Sequence, residues 1–253
     1  MSKTADIKPR FIAGSATPIG PDRDPHPNPE PLLPPDVQMV CRSIEISDYT
    51  IEGVNEAIAE RYWPVVDAFV KDGAHSIMLQ GFPVASQLGR ARVLELQAET
   101  TRRTGLIADS HAEATIAAIG LFGAKRIAIA SRWSDQLNTA LVDYLQAADL
   151  EILTITGVGQ WAKQAFSMSI DEGVKLAFEL AREAMRKAPK AELLLLPGGA
   201  WRSLAAVPIL ENDYGIPVVT NPIAEVWRLI DMGVAPPVKG WGRLLASPAR
   251  GKH

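Results

Sequence analysis

A chain of 253 residues with 26 Lys and Arg against 29 Asp and Glu has a formal net charge of -3, which gives it no basic face for nucleic acid. Its 47% hydrophobic content can pack one large domain or two lobes, no apolar run is long enough to span a bilayer, and the opening Met1-Ser2-Lys3-Thr4-Ala5-Asp6 lacks a signal-peptide core, so the expected compartment is the cytoplasm. The single cysteine, Cys41, excludes an internal disulfide, and no grouping of it with the four histidines has metal-ligand spacing.

Phe11-Ile12-Ala13-Gly14 reads as a first strand. Prolines 18, 21, 25, 27, 29, 31, 34 and 35 then forbid regular helix between Thr17 and Asp36, leaving an extended loop that is either a site wall or a solvated excursion. Val37 to Ile44 resumes a strand, with Cys41 expected in the core. From Ile51 to Lys71 apolar residues recur at helical spacing, with a bend predicted near Pro64. His75 to Gln80 is a strand ending in Gly81, Val84 to Thr104 a helix, Leu106-Ile107-Ala108 a strand, and Ala114 to Phe122 a helix.

The second half repeats this order. Strand Lys125 to Ser131, helix Leu137 to Ala148 and strand Ile152 to Ile155 lead to Ser169, which forms a predicted capping box with Glu172 at the head of a helix ending near Lys187. Leu193-Leu194-Leu195-Leu196 is an uninterrupted apolar run, the signature of a strand buried on both faces, and it breaks into Pro197-Gly198-Gly199-Ala200-Trp201-Arg202. Backbone amides at such a strand-to-helix turn can meet an anion; a plain tight turn fits the same residues. Leu204 to Asn212, Ile216 to Asn221 and Glu225 to Met232 complete the alternation.

Matching neighbourhoods around Gly81 and Gly198 mark a tandem internal repeat. The predicted fold is α/β, with two pseudo-symmetric lobes at 1–123 and 124–253, each a parallel sheet flanked by helices; the last helix and tail are free to pack back on the first lobe. Ligands of such sheets bind beyond the carboxyl ends of the strands, so the site is expected in the interlobe cleft between Gly81 and Gly198.

The tandem halves, the glycine after each key strand, Leu196-Pro197-Gly198-Gly199, Ile216-Pro217-Val218-Val219 and the closing Gly240-Trp241-Gly242-Arg243-Leu244 together resemble the aspartate/glutamate racemase superfamily, in its arylmalonate decarboxylase and maleate isomerase branch. The resemblance implies a cofactor-independent, metal-free lyase or isomerase on a small carboxylate or carbonyl compound, and the family habit of pairing subunits. Enzymes of that superfamily carry a cysteine after one or both key strands, where thiol and thiolate move a proton beside a carboxylate. The matching positions here are Gly81 and Pro197. Where the family often has a Thr-Ser pair to bind the substrate carboxylate, this chain has Phe82-Pro83, and Trp133 replaces a tyrosine. By the resemblance, Gly81, Phe82, Trp133, Gly198, Gly199, Ala200 and Trp201 bind the substrate, with Trp161 nearby, and the more apolar wall suits an aromatic or bulkier compound.

Asp109-Ser110-His111-Ala112-Glu113, at a strand end on the cleft side, is the best source of a replacement acid or base. Histidine is the side chain suited to acid or base work near neutrality, which makes His111 one catalytic candidate, and Asp109 is the other. Asp109 and Ser110 equally suit the cap of the next helix, with Glu113 in its first turn. Arg132 and Arg202 fit either carboxylate binding or the solvated surface. His75 is expected to be structural, and His26 reaches a site only if the proline loop folds over it. A hydrolase using the same oxyanion turn, or a binding protein without catalysis, fits these features as well.

Overall fold

The computed structural model describes residues 8–19, 32–46, 48–199 and 201–250. Most of the proline-rich loop, with His26, and also Ala200 lie outside the described residues. The framework is two parallel four-stranded sheets. The first has the order β2-β1-β3-β4, from β1 (Phe11–Thr17), β2 (Val37–Ser43), β3 (Ser76–Leu79) and β4 (Ile107–Ser110). The second has the order β6-β5-β7-β8, from β5 (Arg126–Ile129), β6 (Glu151–Ile155), β7 (Leu193–Leu196) and β8 (Val218–Thr220). The orders coincide when β1 is matched to β5, so the internal repeat is a repeat of topology.

Strands β3 and β7 are buried at every residue, because helices cover both faces of the centre of each sheet. Each leucine of β7 is fully removed from water, a contribution of roughly 2 kcal/mol apiece. Cys41 differs from expectation. It is exposed, because β2 is an edge strand that pairs only with β1 and lacks the cover of the central strands.

The bend expected near Pro64 takes a definite form: α1 (Ile51–Ala57) joins α2 (Trp63–Lys71) through a π-helical turn, Ile58–Tyr62. Proline lacks the amide that an interior helical position must donate, and the wider turn places it in the first turn of α2, where none is needed. The run from Val84 to Thr104 is two helices, α3 (Phe82–Leu88) and α4 (Arg90–Thr104), which meet at Gly89. Beyond them come α5 (His111–Leu121), α6 (Asp135–Gln146), α7 (Ile170–Lys187), α8 (Val207–Tyr214) and α9 (Asn221–Asp231). The capping box of Ser169 and Glu172 heads α7 as expected. No helix among the described residues is long and apolar enough to cross a membrane.

Helices α5 and α9 follow the corresponding strands β4 and β8 and pack on each other. Each reaches across to the other half. Glu113 of α5 is held by Arg90 through both carboxylate oxygens, at 2.9 and 3.2 Å, and accepts the Tyr144 hydroxyl of α6 at 2.9 Å. Glu225 of α9 bonds Ser15, Gln80 and His111 of the first half.

Helix α7 rides directly on the backbone that follows β7: a Cβ added at Gly173 would stand 1.8 Å from the Trp201 carbonyl oxygen. Gly173→Ala is therefore expected to lower stability by about 3 kcal/mol. Gly120→Ala, in α5 with nothing within 4 Å, is expected to raise it by about 0.5–1 kcal/mol. Urea denaturation of both variants checks the contrast; equal effects would mean that α7 is not seated on this turn.

Candidate active site

A cleft opens where the carboxyl ends of the two sheets face each other. The first half contributes Thr17, Pro18 and Ile19 after β1, Gln80 to Pro83 after β3, and His111 after β4. The second contributes Arg132 and Trp133 after β5, and Gly198 and Gly199 after β7, with Tyr49 and Ala162 completing the wall. In both sheets the strand order reverses between the first strand and the one that carries the glycine, which is where open α/β sheets bind ligands.

The cavity is about 50 Å³, room for a few water-sized groups. Phe82 and Trp133, expected to form a roomy aromatic wall, are 0% and 1% exposed and take up space instead. The Phe82 ring meets Tyr144 edge-on at 6.1 Å, and the Trp133 indole lies so close to Gly198 that a Cβ there would stand 3.0 Å from its Cζ2. The remaining space suits a small ligand.

The two glycine turns are built alike. Gly81 and Gly198 have φ of 96° and 98°, a region that side chains disfavour. In each, the amide donates to the first residue of the helix after the neighbouring strand: Gly81 to Nδ1 of His111 at 3.1 Å, Gly198 to Oδ1 of Asn221 at 2.9 Å. The Gly198 amide, expected to be free for an oxyanion, is thus already engaged. Ser110 and Thr220, the residues before His111 and Asn221, cap α5 and α9. The sequence offered Ser110 and Asp109 as alternative caps, and the structure uses Ser110.

Because Nδ1 of His111 accepts from an amide, the ring proton sits on Nε2, which donates to Oε2 of Glu225 at 2.9 Å. Glu225 also accepts from the Ser15 hydroxyl at 2.7 Å and from the Gln80 amide at 3.1 and 3.0 Å. Three donors converging on one buried carboxylate define an acceptor-only, ionised Glu225 and a neutral His111 fixed in one tautomer. The sequence reading missed Glu225, although its signal was the repeat itself: Gly105 to Thr115 aligns without gaps on Gly215 to Glu225, which matches His111 with Asn221 and puts Glu225 one helical turn further on.

The other sequence candidates divide. Asp109 is not brought to the cleft: its carboxylate takes Nε of Arg228 at 2.7 Å and its own neighbour's amide, Ser110 N, at 2.7 Å, on the side of β4 that faces α9. Burial pushes its carboxyl above the usual range, with Arg228 opposing. Trp201 is fully buried and does not line the cleft, and neither Trp161 nor Arg202 is among the lining residues. Gly81, Phe82, Trp133, Gly198, Gly199 and His111 do line it.

Tyr49 and Arg132 complete the polar wall. Burial pushes the Tyr49 phenol above its ordinary range, so it keeps its proton and serves as a donor. Arg132 is 2% exposed, and burial pushes its guanidinium down to about 9, with Tyr49 the only group acting the other way. The Trp133 indole N–H is buried without a partner among the described residues.

Two α/β lobes with matched glycine turns, and a cleft lined by hydrogen-bonding groups between them, define the class of small-molecule sites that lie at the strand ends of paired parallel sheets. The family model for arylmalonate decarboxylase matches residues 19–245, and the chain belongs to that family, which has lyase and isomerase relatives. It is 28% identical over 219 residues to the arylmalonate decarboxylase of Bordetella bronchiseptica, covering 84% of this chain and 88% of that protein. A liganded mutant of arylmalonate decarboxylase has a similar fold at a TM-score of 0.81 and 22% identity, covering 92% of this chain and 98% of the other. The maleate isomerase of Pseudomonas putida S16 with maleate does so at 0.76 and 16%, covering 93% and 97%.

Replacing Glu225 with Ala leaves three buried donors without an acceptor and is expected to cost about 3 kcal/mol or more. The same change should release the His111 ring, so ¹⁵N NMR is expected to show the Nε2-protonated tautomer alone in the wild type and a mixture in Glu225→Ala. A mixture already in the wild type would mean that Glu225 does not fix the ring.

Proposed function

We propose that this protein is a cofactor-independent lyase or isomerase acting beside the carboxylate of a small acid, with His111 rather than a thiol moving the proton. The observation that carries the reading is the His111 imidazole at the cleft wall, anchored through Nε2 to a buried carboxylate and with its Nδ1 lone pair at the first glycine turn. A base whose second nitrogen is held by a carboxylate keeps one tautomer and gains a counter-charge when it is protonated. The names of the relatives support the substrate class: arylmalonate for one, maleate for the other.

In the decarboxylation version, the bond between the α-carbon and one carboxylate carbon breaks, CO₂ leaves, and the electron pair remains as an enediolate on the other carboxylate. Solvent supplies a proton to the Nδ1 lone pair of His111, the imidazolium passes that proton to the α-carbon, and the ring returns to its neutral form. In the isomerisation version, the same nitrogen takes a proton from a saturated carbon beside the carboxylate, leaving the electron pair as an enediolate, and returns it to the opposite face of that carbon. Either step requires the Gly81 amide to release Nδ1, which couples catalysis to movement of that turn. Tyr49 and the Trp133 indole supply donors for the enediolate oxygens in place of the engaged Gly198 amide. Loss of one such donor costs about 10²–10³ in kcat.

Incubation with malonate and phenylmalonate in deuterated buffer, read by NMR, is expected to show loss of CO₂ with one solvent deuterium at the product's α-carbon. His111→Ala is expected to lower kcat at least about 100-fold. Asp109→Asn, away from the cleft, is expected to leave kcat within a few-fold. Unchanged turnover in His111→Ala would remove His111 from the chemistry.

A further inference from the structure

We infer that Arg132 is the carboxylate anchor of this cleft: its buried guanidinium binds one ionised carboxylate of the ligand and selects acids over their neutral isosteres. The inference rests on the proposed function for the reaction but not for the binding.

A guanidinium is always cationic at neutral pH and offers five N–H donors. Only two are used here, and both go to neutral acceptors at long range: Nη1 to the Gln160 side chain at 3.3 Å and Nη2 to the Ala162 carbonyl at 3.3 Å. Nε is buried with no partner, and among the described residues no carboxylate pairs with Arg132. A buried charge normally has a counter-ion, because desolvation is otherwise uncompensated. Even the half-buried arginines obey this: Arg90 has Glu113, and Arg228 has Asp109 and Asp231. None of the described residues lining the cleft is an acid, and Glu225, bonded to His111, has its oxygens already taken.

The guanidinium is also held in place in advance. The Thr156 hydroxyl accepts the Ser131 amide and donates to the Ser131 carbonyl, both at 3.0 Å, while Asn138 accepts the Ser131 hydroxyl at 2.6 Å and donates to the Thr156 carbonyl at 2.9 Å. The Arg132 carbonyl accepts the Gln160 amide at 3.1 Å, and Trp133 stacks below the side chain at 5.8 Å. A carboxylate lying across a guanidinium edge accepts two parallel bonds, a geometry an ammonium cannot give. With one cation, and apolar surface from Ile19, Phe82 and Trp133 beside it, the site fits a small acid that presents one carboxylate to Arg132 and carbon to that surface.

The test compares propionate with propionamide, which share a shape and differ in charge, by thermal shift and isothermal titration at pH 7. Wild-type protein is expected to bind propionate and not propionamide, with Arg132→Gln at least about 30-fold weaker and Arg132→Lys in between. Arg132→Met is expected to raise the melting temperature of the unliganded protein while abolishing its response to propionate, since it removes an uncompensated buried charge. A purely structural arginine gives the reverse: Arg132→Met that melts lower or fails to fold, or Arg132→Gln that binds propionate as the wild type does, overturns the inference. His111→Ala is expected to keep propionate binding, so lost turnover with intact binding strikes only at the proposed reaction, and intact turnover with lost charge selection strikes only at Arg132.

Discussion

The site depends on a constraint that occurs twice: a glycine at positive φ whose amide is taken by the first side chain of the helix beyond the next strand. His111 does this for Gly81 and Asn221 does it for Gly198. A turn in this conformation is weakly favoured by itself, and the acceptor makes it one well-defined shape. Because β3 with β4, and β7 with β8, are adjacent in parallel register, both strand ends reach the cleft at one level and the acceptor falls within bonding distance. Everything else in the cleft is arranged around these two fixed points.

The two halves have drifted apart in chemistry while keeping that geometry. Asn221 accepts the glycine amide with a group that does not titrate, whereas His111 accepts it with a lone pair that can carry a proton. The histidine is the member with a carboxylate behind it, and Glu225 comes from the other half of the chain. Arginine and tryptophan follow β5 where proline and isoleucine follow β1, so the guanidinium of the cleft comes from the second lobe, while its aromatic bulk is shared between Trp133 and the first lobe's Tyr49 and Phe82. The result is a lopsided pocket between symmetric frames.

Much of this was legible in the sequence. The strands, and their assembly into parallel sheets flanked by helices, followed from apolar runs ending in glycine that alternate with helical spacing. The capping box at Ser169 was readable residue by residue. Side-chain direction was not. Asp109 and His111 are two apart on the chain, yet Asp109 belongs to the strand and turns toward Arg228, while His111 has entered the helix and turns toward Gly81. Arg132 stood level with Arg202 between carboxylate binding and the solvated surface, because nothing local announces the Ser131, Asn138 and Thr156 network that holds its backbone. Cys41 was misjudged because alternation shows a strand but not whether it stands at an edge.

The donation of Glu225 by α9 bears on how the molecule is made. By the end of β4 the chain has produced Ser15, Gln80 and His111, three polar groups placed to converge on a single point in the interior. The acceptor they share is encoded more than a hundred residues later, in the last helix. Without α9 those three groups lack the carboxylate they share, so the first half cannot satisfy its own interior. The polar centre of one lobe is thus completed only by a residue of the other, and neither half holds a finished interior by itself.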